Sequence, residues 1–151
     1  MKKYLLILSV SLLSLQSFSQ AKKKPVSKAT ATAMTPAMKA SIEKGKTVYM
    51  SYCMACHQAD GAGIPNMNPP LAKTEYVLGD KLRLINIVLN GLTEEMTING
   101  EEYSNPMPPH NFLKDDEIAD VLSYVRNNFG NKASVITKAE VVKARKQNTV
   151  K

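Results

Sequence analysis

Both cysteines of this 151-residue chain fall in one pentapeptide, Cys53-Met54-Ala55-Cys56-His57. C-x-x-C-H is the attachment signature of a c-type haem. On one helical turn, the spacing of three matches the separation of the two porphyrin vinyl groups, one for each thiol. The adjacent imidazole then lies under the iron as proximal ligand. Other uses of C-x-x-C ask for more than the sequence offers. A structural zinc site takes four ligands, and the only other imidazole or thiol is His110. A dithiol redox motif belongs in a strand–helix context, whereas the residues upstream of Cys53 read as helix.

Six-coordinate iron needs a second ligand on the opposite face, and the chain has eight methionines. Met1 leaves with an N-terminal signal, and Met34 and Met38 precede the motif. Met50 and Met54 lie on or beside the proximal helix and cannot reach across the ring. Met67 sits inside the loop that must first turn around the cofactor edge. Met96 and Met107 remain. Met107 stands in Asn105-Pro106-Met107-Pro108-Pro109-His110, where prolines fix φ and remove backbone donors, so the segment is stiff and non-helical. That suits it to present one thioether sulfur at a fixed point. Met96, in a turn beside Glu94 and Glu95, reads as a partly exposed gap-filler. His110 is a competing ligand, since imidazole also binds iron.

The chain ends have a different character. Residues 1–19 read as a cleavable secretory signal: Lys2 and Lys3, a short apolar stretch from Tyr4 to Leu15, then Ser17 and Ser19 before Gln20. No run of 18 apolar residues is present, so nothing reads as a membrane span once the signal is removed. Residues 20–34 form a flexible basic leader, and 132–151 a basic C-terminal tail expected to be solvated. Between them, residues 29–131 hold eight Lys and Arg against twelve Asp and Glu, a net charge of −4, although the whole chain carries +7. The basic character therefore belongs to the ends. With no basic groove or aromatic platform, nucleic-acid binding is excluded. Aromatics are only 6% and Trp is absent. A domain of roughly 95 residues is marginal on such a core, and a covalently held porphyrin would supply the missing apolar mass.

From Gly45 to Gly130 the chain resembles a class I cytochrome c, the monohaem kind with His/Met ligation. Lys44-Gly45-Lys46-Thr47-Val48-Tyr49 running into Cys53 looks like that family's N-terminal helix, packed on a C-terminal helix here read as Asp116 to Asn128, with Val121, Tyr124 and Val125 inward. The stretch from Tyr76 through Leu92 looks like its middle helix. Asn68-Pro69-Pro70-Leu71 is similar to the loop whose proline carbonyl accepts the proximal imidazole N–H. The resemblance assigns that role to Pro69 and places Leu71 against the haem. It implies an all-α cytochrome c fold over residues 35–131, three to four main helices wrapped around one covalently bound haem, with Cys53 and Cys56 attached and His57 and Met107 as iron ligands.

The segment from Gly100 to His110 is especially like haem domains that accompany periplasmic quinoprotein dehydrogenases, and the Asn127-Asn128-Phe129-Gly130-Asn131 ending with the later Ala139-Glu140-Val141-Val142 and Arg145 extends that likeness into the tail. The implied function is a periplasmic, monomeric electron carrier without catalytic residues, passing single electrons from a dehydrogenase to a terminal oxidase or reductase. The alternatives are a haem enzyme or gas-binding protein with a labile distal Met, and a permanently docked subunit of a dehydrogenase. An acidic domain is expected to meet a neutral or basic partner face through small, salt-sensitive contacts. One departure from the family pattern is Lys114, which stands where a capping Ser or Thr is usual. Asp115 and Asp116 are expected to cap the C-terminal helix in its place.

Overall fold

The computed structural model describes residues 34–148. The signal of residues 1–19 and all of the leader but Met34 lie outside the described residues. The main helices are α1 (Pro36–Tyr52), α4 (Lys81–Asn90), α5 (Asp115–Asn127) and α6 (Lys138–Asn148), with two single turns, α2 (Met54–His57) and α3 (Glu75–Leu78). A short antiparallel hairpin, β1 (Met96–Ile98) and β2 (Glu101–Tyr103), pairs Met96 with Tyr103.

Helix α1 starts where Thr35 and Pro36 direct it. The Thr35 hydroxyl accepts the Met38 N–H at 3.2 Å, and Pro36 occupies the first turn, where its missing N–H costs nothing. Its buried face is Gly45 and Tyr49, which cross α5. At the crossing a Cβ on Gly45 would stand 2.0 Å from the Asp120 carbonyl oxygen and 2.9 Å from Tyr124 Cβ. Only glycine lets the backbones approach so closely. One turn on, the Tyr49 ring lies 5.4 Å from that of Tyr124 and 5.3 Å from that of Phe129, distances at which tilted aromatic pairs add to the gain from burial.

The middle helical region is interrupted. α3 ends at Gly79, and α4 begins anew because the Asp80 carboxylate accepts the Arg83 N–H at 2.7 Å. Helix α5 begins at Asp115, with Lys114 as the residue before it, and neither Asp115 nor Asp116 caps it in the way expected. Instead Glu117 reaches back to accept the Lys114 N–H at 2.8 Å, and Asp115 pairs with Arg145 Nε at 2.6 Å.

The C-terminal segment departs most from the sequence reading. Residues 132–148 are packed, not solvated: Ile136, Val141 and Ala144 are buried in the core. Thr137 and Glu140 form a capping box, with the Thr137 N–H donating to Glu140 Oε2 at 2.7 Å and the Glu140 N–H to Thr137 Oγ1 at 3.3 Å. Lys81 Nζ bonds Glu140 Oε1 at 2.9 Å and the Val135 carbonyl at 2.7 Å, anchoring α6 to α4. Composition concealed this because the apolar stripe is narrow and its neighbours are lysines. The consequence is electrostatic: the described residues hold thirteen cationic and thirteen anionic side chains, so the packed protein is balanced rather than acidic.

Gly45→Ala would gain up to about 1 kcal/mol of helix propensity, but overlap with a backbone carbonyl costs about 1–3 kcal/mol. A net loss of about 1–2 kcal/mol is expected, read as a lower urea midpoint of the holoprotein. Burial alone would raise the Glu140 pKa, but the Thr137 N–H and Lys81 hold it below its ordinary 4.5. A depressed carboxyl stabilises the fold above its unfolded pKa and loses that contribution as pH falls through the folded value. Amide protection factors at Val141 and Ala144 should therefore fall between about pH 7 and about pH 3, while those at Tyr49 change little.

Candidate functional site

Cys53 ends α1, and α2 carries Cys56 and His57 around one further turn. Both thiols are free of disulfide, and with His57 they line a cleft of about 1250 Å3, part of it open solvent at the mouth. Burial pushes the Cys53 thiol up to about 11, with Cys56 adding to the shift. His57 is buried, and its Nδ1 lies 2.9 Å from the Pro69 carbonyl oxygen. A carbonyl only accepts, so Nδ1 carries the hydrogen and Nε2 keeps its lone pair. Burial lowers the His57 pKa, the Pro69 bond opposes that shift and nearby His110 adds to it. The ring is held neutral and oriented, as a metal-ligating imidazole requires. Leu71 lines the same cleft, and its N–H donates to the Gly61 carbonyl at 2.8 Å.

The remaining walls come from α4, α5, the hairpin and the proline segment. Met107 lines the cleft and is held at its backbone on both sides: its N–H donates to Leu92 O at 2.8 Å, and the Leu92 N–H donates to Met107 O at 2.9 Å. Gly91 makes that pairing possible. Its φ is +75°, and a Cβ there would stand 2.4 Å from the Met107 carbonyl. Met96 is on β1, not in a turn, and it too lines the cleft. His110 also lines it; the N–H donates to Val88 O at 2.8 Å, and ring Nδ1 lies 2.9 Å from Pro108 O. Among the described residues no group of three or more His, Cys, Asp or Glu converges as a metal site, so a zinc reading of the two thiols finds no ligand set there.

A sequence profile of cytochrome c matches residues 42–129, which include the thiol pair, the imidazole and the proline segment. The chain belongs to the cytochrome c family. Cytochrome c-552 of Thermus thermophilus is 36% identical over 95 residues, covering 60% of this chain and 72% of that protein. The cytochrome c subunit of the quinone alcohol dehydrogenase of Gluconacetobacter polyoxogenes is 34% identical over 104 residues, covering 67% of this chain. The gluconate 2-dehydrogenase cytochrome c subunit of Pantoea cypripedii is 34% identical over 112 residues, covering 72%. This chain spans only 22% and 25% of those two subunits. Membership of the family implies covalently bound haem c. The cleft of this cytochrome fits that group: an apolar lining, two thiols on one turn and a neutral imidazole open into one space.

The resemblance includes Asn131 but assigns it no role; the structure shows that it braces two residues of this cytochrome's cleft wall. Asn131 is buried; its Nδ2 donates to Leu71 O at 2.9 Å and Val125 O at 2.8 Å, while its Oδ1 accepts the Lys73 N–H at 2.7 Å. One side chain thus ties the Pro69–Leu71 loop to α5. Locally it is a polar residue after Phe129-Gly130, which the structure places at positive φ and which reads as an ordinary turn. Asn131→Leu leaves buried carbonyls without donors, at about 1–3 kcal/mol each. Denaturant unfolding of the holoprotein should show a loss of about 2–4 kcal/mol, with faster amide exchange at Leu71 and Lys73.

Proposed function

We propose that this cytochrome is a one-electron carrier with a single haem, attached through Cys53 and Cys56 and ligated by His57 and Met107. The bound group supplies a ferric/ferrous couple. His57 offers Nε2 while Pro69 fixes its ring plane and raises its basicity. Met107 is a thioether lining the same cleft, and its pairing with Leu92 resists displacement. Such a ligand favours the ferrous state and raises the reduction potential. Leu71, Val88 and Leu122, which line the cleft, keep water from the ring. With His57 and Met107 both holding the group, no position would be left open to a substrate, and the group would supply one-electron transfer with little rearrangement.

The observation that carries this reading is the convergence of His57, its Pro69 partner and Met107 on one apolar cleft. Export to the periplasm is supported by the signal pattern of residues 1–19. No described helix is long and apolar enough to cross a membrane. The likeness to dehydrogenase cytochrome subunits favours a dehydrogenase as donor and an oxidase or reductase as acceptor. It also supports a second reading, a permanently docked subunit, which co-purification would distinguish from a free monomeric carrier.

The test is a potentiometric titration of the holoprotein with optical spectra recorded with and without carbon monoxide. A positive potential, a low-spin spectrum and no carbon monoxide adduct are expected. Met107→Ala should lower the potential by a tenth of a volt or more, on the roughly 0.8 V scale that axial ligands span, and should open the iron to carbon monoxide. A negative potential without an adduct would assign the sixth position to His110. A wild-type adduct would overturn the carrier reading.

A further inference from the structure

Charged residues make up 22% of this chain, yet three runs of eleven or more described residues contain no Asp, Glu, Lys or Arg: 47–59, 61–72 and 103–113. They hold the thiol pair, the Pro69 loop and the Met107 segment. The fold brings all three together. The Tyr52 and Phe112 rings meet edge to face at 5.6 Å, joining the first run to the third, and the His110 ring lies 5.7 Å from Phe112. Asn105 Nδ2 donates to Asn68 Oδ1 at 3.3 Å, joining the third to the second. Tyr52, Asn68, Asn105 and His110 all line the cleft, so this neutral surface forms its mouth. Large apolar groups stand out from it: Phe112 is 63% exposed, Tyr52 and Met67 48%. Glu94 is the one charged residue among those lining the cleft.

We infer that the cleft mouth docks a redox protein whose own contact face is uncharged and apolar, with association driven by burial of Tyr52, Met67 and Phe112 rather than by charge steering. A charged partner face would lose water here and find no counter-charge, a cost that complementary potentials normally offset. Nor do the described residues supply a strong monopole to guide one, because their charges balance. This rests on the electron-carrier reading. It replaces the salt-sensitive contact expected of an acidic domain.

A second copy of the holoprotein is a partner of that chemistry, and self-exchange tests the proposal. One electron passes from a ferrous to a ferric copy, with no net reaction. The rate, read from NMR exchange broadening in mixed-valence samples, should change less than about twofold between about 0.01 and 1 M salt, over which the screening length falls from about 30 to 3 Å. Phe112→Asp places like charges face to face, and should slow exchange about tenfold at low salt and make it rise with salt. Met67→Asp is a second, independent reporter on an exposed side chain. Lys143→Glu, on α6 and outside the cleft lining, should leave rate and salt dependence unchanged. In the ferrous protein alone, concentration-dependent amide shifts should fall at Tyr52, Met67 and Phe112. A wild-type rate varying about tenfold with salt, a Lys143→Glu effect as large as that of Phe112→Asp, or shifts centred on the α6 lysines would overturn the docking proposal. Absence of any self-exchange would instead overturn the carrier reading.

Discussion

The crossing of α1 over α5 at Gly45 determines where everything else can stand. Because no side chain separates the helices, the Asp120 carbonyl comes within reach of the α1 backbone, and Tyr49 can lie against Tyr124 and Phe129. That contact fixes the direction in which α1 delivers Cys53. The next turn carries Cys56 and His57, so a fraction of an ångström at Gly45 is passed on to the imidazole. The same helix α5 contributes Val121, Leu122 and Val125 to the cleft wall. Attachment site and wall are thus placed by a single packing event.

Two further constraints convert that frame into a site. On one side the Pro69 carbonyl, itself held by the Leu71–Gly61 and Leu71–Asn131 hydrogen bonds, orients His57. On the other, Gly91 lets the Met107 segment pair with Leu92. Neither wall is built by helix packing. Both are irregular chain whose backbone groups are satisfied one at a time, with prolines that bring no N–H to satisfy and amides that must each find a partner. Both walls are therefore sensitive to a lost donor, as the helix crossing at Gly45 is to added volume.

Much of the molecule was legible in the residues. The pentapeptide, the Thr35-Pro36 start of α1, the apolar spacing of α5 and the stiffness around Met107 each have a local physical cause, and the structure contains each of those local features. Less legible were features whose cause is distant in sequence. Helix α6 carries a Thr137–Glu140 capping box that can be read directly, but its apolar stripe of Val141 and Ala144 is too narrow to stand out among lysines. Asn131 resembles a turn residue until Leu71 and Val125 are seen beside it. Met96 reads as a turn methionine, although Asn99-Gly100, both at positive φ, is the local hairpin signal that pairs 96–98 with 101–103.

What the sequence by itself determined is the chemistry: two thiols and an imidazole on one turn, a stiff segment bearing a methionine, and three stretches without charge. These depend on residue identity and short spacing, which persist whatever the chain does elsewhere. Only the tertiary structure decided that the three uncharged stretches form one surface, that the basic C-terminal residues balance an acidic core, and that Asn131 braces the Pro69 loop. Each of these joins residues tens of positions apart, and such proximity is set by helix packing and chain closure, which no local pattern encodes.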